Sequence, residues 1–497
     1  MSFLDDLIGL VSPGWAANRV RARITLNQLR GYEAGTPKNH RGRGWGPRRE
    51  GNNTALSRGA DLLAASSQDL VRNNPWAANA LRRITADMVG TGPTASVTGG
   101  QSVRNTVRAD WDYFREQGNA VGRESWDATL PLLVREVISA GDALMVWENA
   151  PASDRMRVPL RYRALSNEYL DRSRIQGVDT GHVVQDGVEM NADGRVVAYW
   201  LYDRHPADTG VISRPTSSRI PASRVDLIFE PLWLGQRRGV PWLAPVALAA
   251  DDLAEYEKAV MWKAKMAASF AFARKGIQPG TSPMAGASSI NPQTGQQETT
   301  IRPGMIFSLA SGEELSGITP PRDDNFETYW TTRLYAIAAG LGIPYAALTG
   351  DLRRANYSSL REGKLLYWGL VDMWQWHMIH DQLLRSAWRR FGEARYAAGR
   401  TQGGILPGVR WSFPSRPWVD PLKDVMALER QMDLGLESWP DAVAARGQDP
   451  EAQLAEIEAI MPRLKALGLA VGRGNIATDT AAAMGLIRAE SAPPAGT

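Results

Sequence analysis

Arginines, amides and hydroxyls crowd into one short stretch, Gly350-Asp351-Leu352-Arg353-Arg354-Ala355-Asn356-Tyr357-Ser358-Ser359-Leu360-Arg361. Arg353, Arg354, Asn356, Ser358, Ser359 and Arg361 all offer hydrogen-bond donors, and guanidinium groups match phosphate oxygens especially well. The only apolar side chains among them are Leu352, Tyr357 and Leu360. Contact with a phosphate backbone is the chemistry this composition suits, and an ion pair with Asp351 or Glu362 is the competing use of the same arginines.

Two other clusters carry side chains that could do catalytic chemistry. Asp251 and Asp252, with Glu255 and Glu257, offer carboxylates for a two-metal nucleic-acid enzyme. Their spacing speaks against it, because Asp251 and Glu255 share a helix face while Asp252 points elsewhere, and acids in the first turns of a helix answer its dipole. His377 and His380 share a face at i, i+3, with Asp372 and Asp381 the only carboxylates nearby. Two ligands rarely make a site, so a polar seam in a Trp-rich helix is the plainer reading. No window fits Gly-x4-Gly-Lys-Ser/Thr, since Gly363-Lys364 runs into Leu365, and Gly-x-Ser-x-Gly and His-Glu-x-x-His are missing too. With no cysteine in 497 residues, disulfides, thiolate-held metals and cysteine nucleophiles are excluded. The sequence therefore points to a protein that is not an enzyme and holds no cofactor.

The elements around the basic stretch are long. Phe326 to Leu341 is apolar at helical spacing and ends at Gly340, Gly342 and Pro344, while Tyr357 to Phe391 keeps the helical period with Asn356 or Ser358 placed to cap it. Gly363 and Gly369 are candidate kinks in that helix. A helix of that length reaches roughly 50 Å at the usual rise per residue and suits an elongated assembly. Trp368, Trp374, Trp376 and Trp388 fall along it and read as core or interface anchors.

Upstream, 61–91 predicts two helices with Pro75 in the first turn of the second, and further helices fit Val103 to Glu116 and Trp126 to Ala140. The period then shortens. Strands are expected at Ala143 to Glu148, Leu160 to Leu165, Gly194 to Tyr202 and Val225 to Glu230, with turns at Asp186-Gly187 and Asp193-Gly194. Pro241 to Lys275 predicts a long helix, 276–304 turns rich in Gly, Ser, Pro, Gln and Thr, and Met305 to Leu309 is a strand candidate. Beyond residue 400 come a strand at Val409 to Phe413 and helices over Asp420 to Leu436, Pro440 to Arg446 and Pro450 to Leu467. The fold class is thus α+β, mostly helical.

Charge is uneven. Residues 1–50 carry nine Lys and Arg against four acids, while the whole chain has a net charge of only +4. A basic arm on a near-neutral body suits nucleic acid or an acidic partner. No run of apolar residues is long enough for a membrane span, and the first residues lack a signal-peptide layout, so the expectation is a chain made in the cytoplasm with no membrane partner.

Six segments, spread in order from residue 69 to 451, resemble the lambda-like portal proteins of tailed bacteriophages. They are Asp69-Leu70-Val71-Arg72-Asn73-Asn74-Pro75-Trp76-Ala77-Ala78 with Val89-Gly90-Thr91-Gly92, Ile337-Ala338-Ala339-Gly340-Leu341-Gly342, Gly350-Asp351, Asn356-Tyr357-Ser358-Ser359-x-Arg361, Trp418-Val419-Asp420-Pro421-Leu422-Lys423, and Ala445-Arg446-Gly447-x-Asp449-Pro450-Glu451. The resemblance implies a homo-oligomeric ring, twelve subunits in that family, with wing, stem, clip and crown around a channel for double-stranded DNA. It implies a basic arm (1–60), a wing (61–240), a first stem helix (241–275), a clip (276–321) and a second stem helix (322–342). A tunnel loop (343–356), a spine helix with wing return (357–424), a helical crown (425–485) and a flexible tail (486–497) would follow. It places Arg353, Arg354, Asn356, Tyr357, Ser358 and Arg361 at the DNA channel. The partners implied are non-specifically bound DNA, the terminase large subunit, the major capsid protein with scaffold, and a head-tail connector or adaptor, all at the portal vertex of a virion or of a prophage or gene-transfer particle.

Overall fold

The computed structural model describes residues 51–174, 179, 181–207, 215–268, 272–275, 288–290, 297–299, 314–317, 326–353, 356–401, 406–418 and 420–467. Most of the basic arm, the strand candidate Met305 to Leu309 and the C-terminal tail therefore lie outside the described residues.

The chain opens with α1 (Asn52–Asn73) and α2 (Pro75–Val89). Asn74 separates them and caps α2, its side-chain oxygen accepting from Trp76 N at 3.0 Å and Ala77 N at 3.2 Å. The first helix thus begins at Asn52, within the stretch 1–60 expected as the basic arm. The short strand β1 (Thr94–Val97), α3 (Gln101–Gln117) and α4 (Trp126–Ala140) follow, the two helices at the expected places.

After α4 come β2 (Asp142–Asn149) and β3 (Leu160–Ser166), then β4 (Val183–Gln185), β5 (Val188–Met190), β6 (Val196–Tyr202), β7 (Ser217–Pro221) and β8 (Val225–Phe229). They form two antiparallel sheets, ordered β3-β2-β8 and β4-β5-β6-β7. The Asp186-Gly187 turn has positive φ at both residues, 53° and 81°, as a two-residue hairpin demands. Strand β2 lies between two cores. Ala143, Met145 and Trp147 belong to the large core, while Leu144 and Val146, on the other face, belong to a smaller one with Val188, Tyr199 and Leu201. Such two-sided burial explains why β2 reads as a continuous apolar run rather than an alternating one.

The expected helix over 241–275 is shorter. Helix α5 runs over Ala247–Ala268, and β9 (Phe272–Lys275) then pairs with β12 (Glu314–Gly317), while β10 (Ser288–Ile290) pairs with β11 (Gln297–Thr299). Pairing of 272–275 with 314–317 as a strand ends the helix there.

Helix α6 (Phe326–Gly340) is followed by α7 (Tyr345–Thr349) and then by one continuous helix. It comprises α8 (Tyr357–Trp374), a π-helical stretch (Gln375–Leu384) and α9 (Arg385–Ala397). Arg385 N donates to His380 O, five residues back. The helical ladder passes through Gly363 and Gly369 unchanged and alters only at this wide stretch. It has a packing reason: Gln375 donates to Met88 O at 2.8 Å, and Gln382 both accepts from Phe229 N at 3.0 Å and donates to Phe229 O at 2.9 Å. One side-chain amide thus continues the edge of β8 as a neighbouring strand would.

Strand β13 (Val409–Ser412) pairs with β1, and α10 (Pro421–Asp433), α11 (Trp439–Ala444) and α12 (Pro450–Ala466) close the described chain. Asp420, Ser438 and Asp449 cap these three helices, each with proline in the first turn. The large core centres on Trp111, whose ring lies 5.1–5.7 Å from Phe114, Trp388, Phe391 and Trp411. Tryptophans from α3, α9 and β13 therefore serve packing rather than base stacking. The α+β, mostly helical class expected from sequence is the one observed.

Candidate functional site

The segment that carries the basic stretch is built by burial first. Leu341, Ile343 and Leu348 are buried in the large core, so the chain between α6 and α8 is pinned down on its N-terminal side. Tyr345 stacks on Tyr335 with centroids 4.2 Å apart. Helix α7 is too short to satisfy its own last carbonyls, and Asn79 of α2 does so instead. Its amide nitrogen donates to Ala347 O at 3.1 Å and Leu348 O at 2.7 Å. Gly350 then ends α7 with a left-handed φ of 71°.

From there the chain emerges. Leu352 and Arg353 are exposed, and Arg353 is held in place by Asp351, whose carboxylate accepts from Arg353 N at 3.0 Å and from Nε and Nη2 at 2.9 Å. That pair raises the guanidinium pKa further, and three-quarters of the Arg353 side chain still faces solvent. Arg354 lies outside the described residues. Asn356 is spoken for as a cap: it accepts from Ser359 N at 2.8 Å while Ser359 Oγ accepts from Asn356 N at 3.1 Å. Tyr357, Ser358 and Arg361 are not loop residues at all, since they fall in the first turns of α8, with Ser358 and Arg361 exposed.

Within the expected 343–356 loop, α7 occupies Tyr345–Thr349, and the irregular chain described after it is 350–353. Sequence reasoning missed Asn79, which sits 268 residues before the carbonyl it caps. Nothing local marks it, because an asparagine in mid-helix has no partner visible in its own segment.

The catalytic alternatives find no support in geometry. Asp251, Asp252 and Glu255 are exposed on α5, and Glu257 instead accepts from Trp330 Nε1 at 2.5 Å. His377 and His380 lie in the π-helical stretch, with Nδ1 3.9 and 3.0 Å from the single carboxylate of Asp381. Among the described residues, only Asp179, His182 and Glu189 bring three potential metal-ligating atoms together. Glu189 is fully buried there and already accepts from Arg219 Nε at 2.9 Å, His182 Nδ1 at 2.8 Å and Trp200 Nε1 at 3.0 Å. Although burial alone would raise its pKa, those donors pull it down to about 2. The cluster is an ion-pair network whose acceptor sites are filled.

Other buried charges are equally structural. Asp110 is buried and accepts from Arg395 Nε at 2.9 Å and Arg400 Nη2 at 2.7 Å, and Asp142 pairs with buried Arg238 at 2.5 and 3.0 Å. No described helix is long and apolar enough to cross a membrane.

Comparison with known proteins agrees with this picture. The family profile described as phage portal protein, lambda family, matches residues 38–375. The probable portal protein of Halomonas phage phiHAP-1 is 24% identical over 388 residues, 74% of this chain and 72% of the relative. Portal protein B of Escherichia phage lambda is 23% identical over 467 residues, 83% and 86% of the two chains. A solved structure titled as the neck of a native GTA particle, computed with C12 symmetry, covers 82% of this chain and 95% of its own at 16% identity and a TM-score of 0.41. With the family profile extending over well more than half of its length, this chain belongs to the lambda family of phage portal proteins, which are structural rather than enzymatic.

Proposed function

We propose that the chain forms a homo-oligomeric ring, twelve subunits in the resembling family, at one vertex of a virion or related particle. The ring is the channel through which double-stranded DNA is packaged and ejected, the docking site for the terminase large subunit and for head-tail connector proteins, and a nucleator of assembly with capsid protein and scaffold in the host cytoplasm. The observation that carries this reading is the family match over 38–375, which contains α5, α6, α7 and α8.

The same reading assigns the elements to the parts of a portal subunit. The wing is 61–240, the first stem helix is α5, the clip holds β10 and β11, the second stem helix is α6, the spine runs through α8 and α9, and α10 to α12 form the crown. Residues 350–356 project into the channel as the tunnel loop, with Arg353, Arg354 and Arg361 toward DNA. Asn356, Tyr357 and Ser358 set the loop's exit angle at the helix cap. A conduit must let DNA slide, so a few exposed phosphate contacts repeated around a ring guide the duplex without trapping it. Asp351 suits that role, because an ion-paired guanidinium offers a weaker phosphate contact than an unpaired one.

The test is the double substitution Arg353→Glu with Arg354→Glu. Rings with an axial hole persist in negative-stain micrographs while packaged or retained DNA falls; an unchanged yield of infectious particles refutes the channel role of these arginines. A native mass of one or two chains under all conditions refutes the ring.

A further inference from the structure

Residues 230–238 join β8 to the turn before α5 and form an unusually stiff apolar tip. Gln236 N donates to Trp233 O at 3.3 Å across a tight turn, with Gly235 at a left-handed φ of 74°. The Gln236 side chain then staples the turn: it accepts from Leu232 N at 2.6 Å and Trp233 N at 3.3 Å and donates to Arg238 O at 2.7 Å. At the apex Leu234 is fully exposed, and Leu232 is more than half exposed. Exposed leucines on a preordered turn lose little conformational freedom on docking, which is what a contact surface needs.

A matching recess lies elsewhere on the chain. Two adjoining cavities of about 350 and 460 Å³ open between the spine helix, the Trp411–Trp418 segment and α10–α11, and they share Arg416, Trp418 and Ala445. Trp368, Trp376 and Phe413 supply further apolar wall. Trp376 and Trp418 stay exposed there and offer an apolar surface to a partner.

Their placement decides what that partner is. Trp374 Nε1 donates to Glu230 Oε1 at 2.8 Å, and its ring lies 4.5 Å from that of Trp242, so the root of the finger rests on the Trp374 flank of the spine helix. Trp376, two residues on and on the far side of the helix, meets Phe413 at 5.6 Å and faces the groove. Finger and groove thus occupy opposite flanks of one helix and suit a neighbouring copy on either side. That is a heterologous, head-to-tail contact, the kind that closes into rings.

We propose that the Leu232–Leu234 finger of each copy seats in the aromatic groove beside the spine helix of the next copy, in one direction around the ring. This rests on the ring reading above. Because the chain has no cysteine, Leu234→Cys combined with Ala445→Cys tests it without background thiols. Treating assembled rings with a short bis-maleimide gives a ladder of covalent multimers on denaturing gels, whereas either single variant gives none beyond dimer. Rings visible in micrographs that yield no ladder overturn the proposal. In a second measurement, Leu232→Ser with Leu234→Ser lowers the assembled fraction at least tenfold and leaves the melting of the unassembled chain unchanged; undiminished assembly overturns it as well. If the unmodified protein never forms rings, the ring reading fails first and this contact with it.

Discussion

Replacing Asn79 by alanine isolates the anchor of the solvent-facing loop from the rest of the fold. The substitution deletes the two hydrogen bonds to Ala347 O and Leu348 O and leaves both carbonyls at the end of α7 without a protein donor. Each such bond contributes about 0.5–1.5 kcal/mol net, so local opening of α7 becomes easier by roughly 1–3 kcal/mol. At about 1.4 kcal/mol per factor of ten, that is a rise of about 5- to 140-fold in the open population. Hydrogen exchange reads it directly. The amides of Ala347, Leu348 and Gly350 are bonded to Pro344 O and Ala346 O within α7, and they exchange faster in proportion, while amides of α12 keep their wild-type rates. Helix α2 stays intact, because Asn79 is not among its buried residues and alanine is the best helix former. If the α7 amides exchange within twofold of wild type, the side-chain cap does not hold the loop, and burial of Leu348 alone must.

Two predictions concern the buried charges. Asp110→Asn strips the countercharge from Arg395 and Arg400, and breaking a buried pair on one side costs about 3–5 kcal/mol, measurable as a lower urea midpoint; a midpoint within experimental scatter of wild type refutes it. Glu189 has a folded-state pKa near 2, below its ordinary 4.5, so its contribution to stability is present above about pH 4.5 and is lost as pH falls toward 2. In Glu189→Gln that acid-dependent loss shrinks, and thermal melts at pH 7 and pH 3 show a smaller difference than in wild type; an equal difference refutes the assignment.

Much of the fold was legible because local signals agreed with tertiary demands. Asn74-Pro75, Asp420-Pro421 and Asp449-Pro450 are caps followed by first-turn prolines, and each begins a helix where the sequence placed one. What escaped was non-local. The end of α5 and the start of β9 depend on pairing with Glu314–Gly317, some forty residues downstream. The π-helical stretch is set by Gln375 and Gln382 reaching Met88 and Phe229, and helical periodicity of apolar residues carries no trace of that. At the basic stretch, residue types indicated phosphate contact and also a cap at Asn356 or Ser358; the structure gives the cap to Asn356, with Ser359 as its reciprocal partner. The donors that suit phosphate also suit a helix N-terminus, and spacing alone does not separate the two uses.

Strand β2 decides how the two sheets come apart. Because alternate side chains enter different cores, the strand has no solvent face to fall back on. Melting the smaller core strips Leu144 and Val146 of their neighbours and loosens the backbone that also holds Met145 and Trp147. The two cores are therefore thermodynamically coupled through one strand, and the two sheets yield as a cooperative unit rather than one by one. In the ring proposed above, load on one sheet would be borne by both.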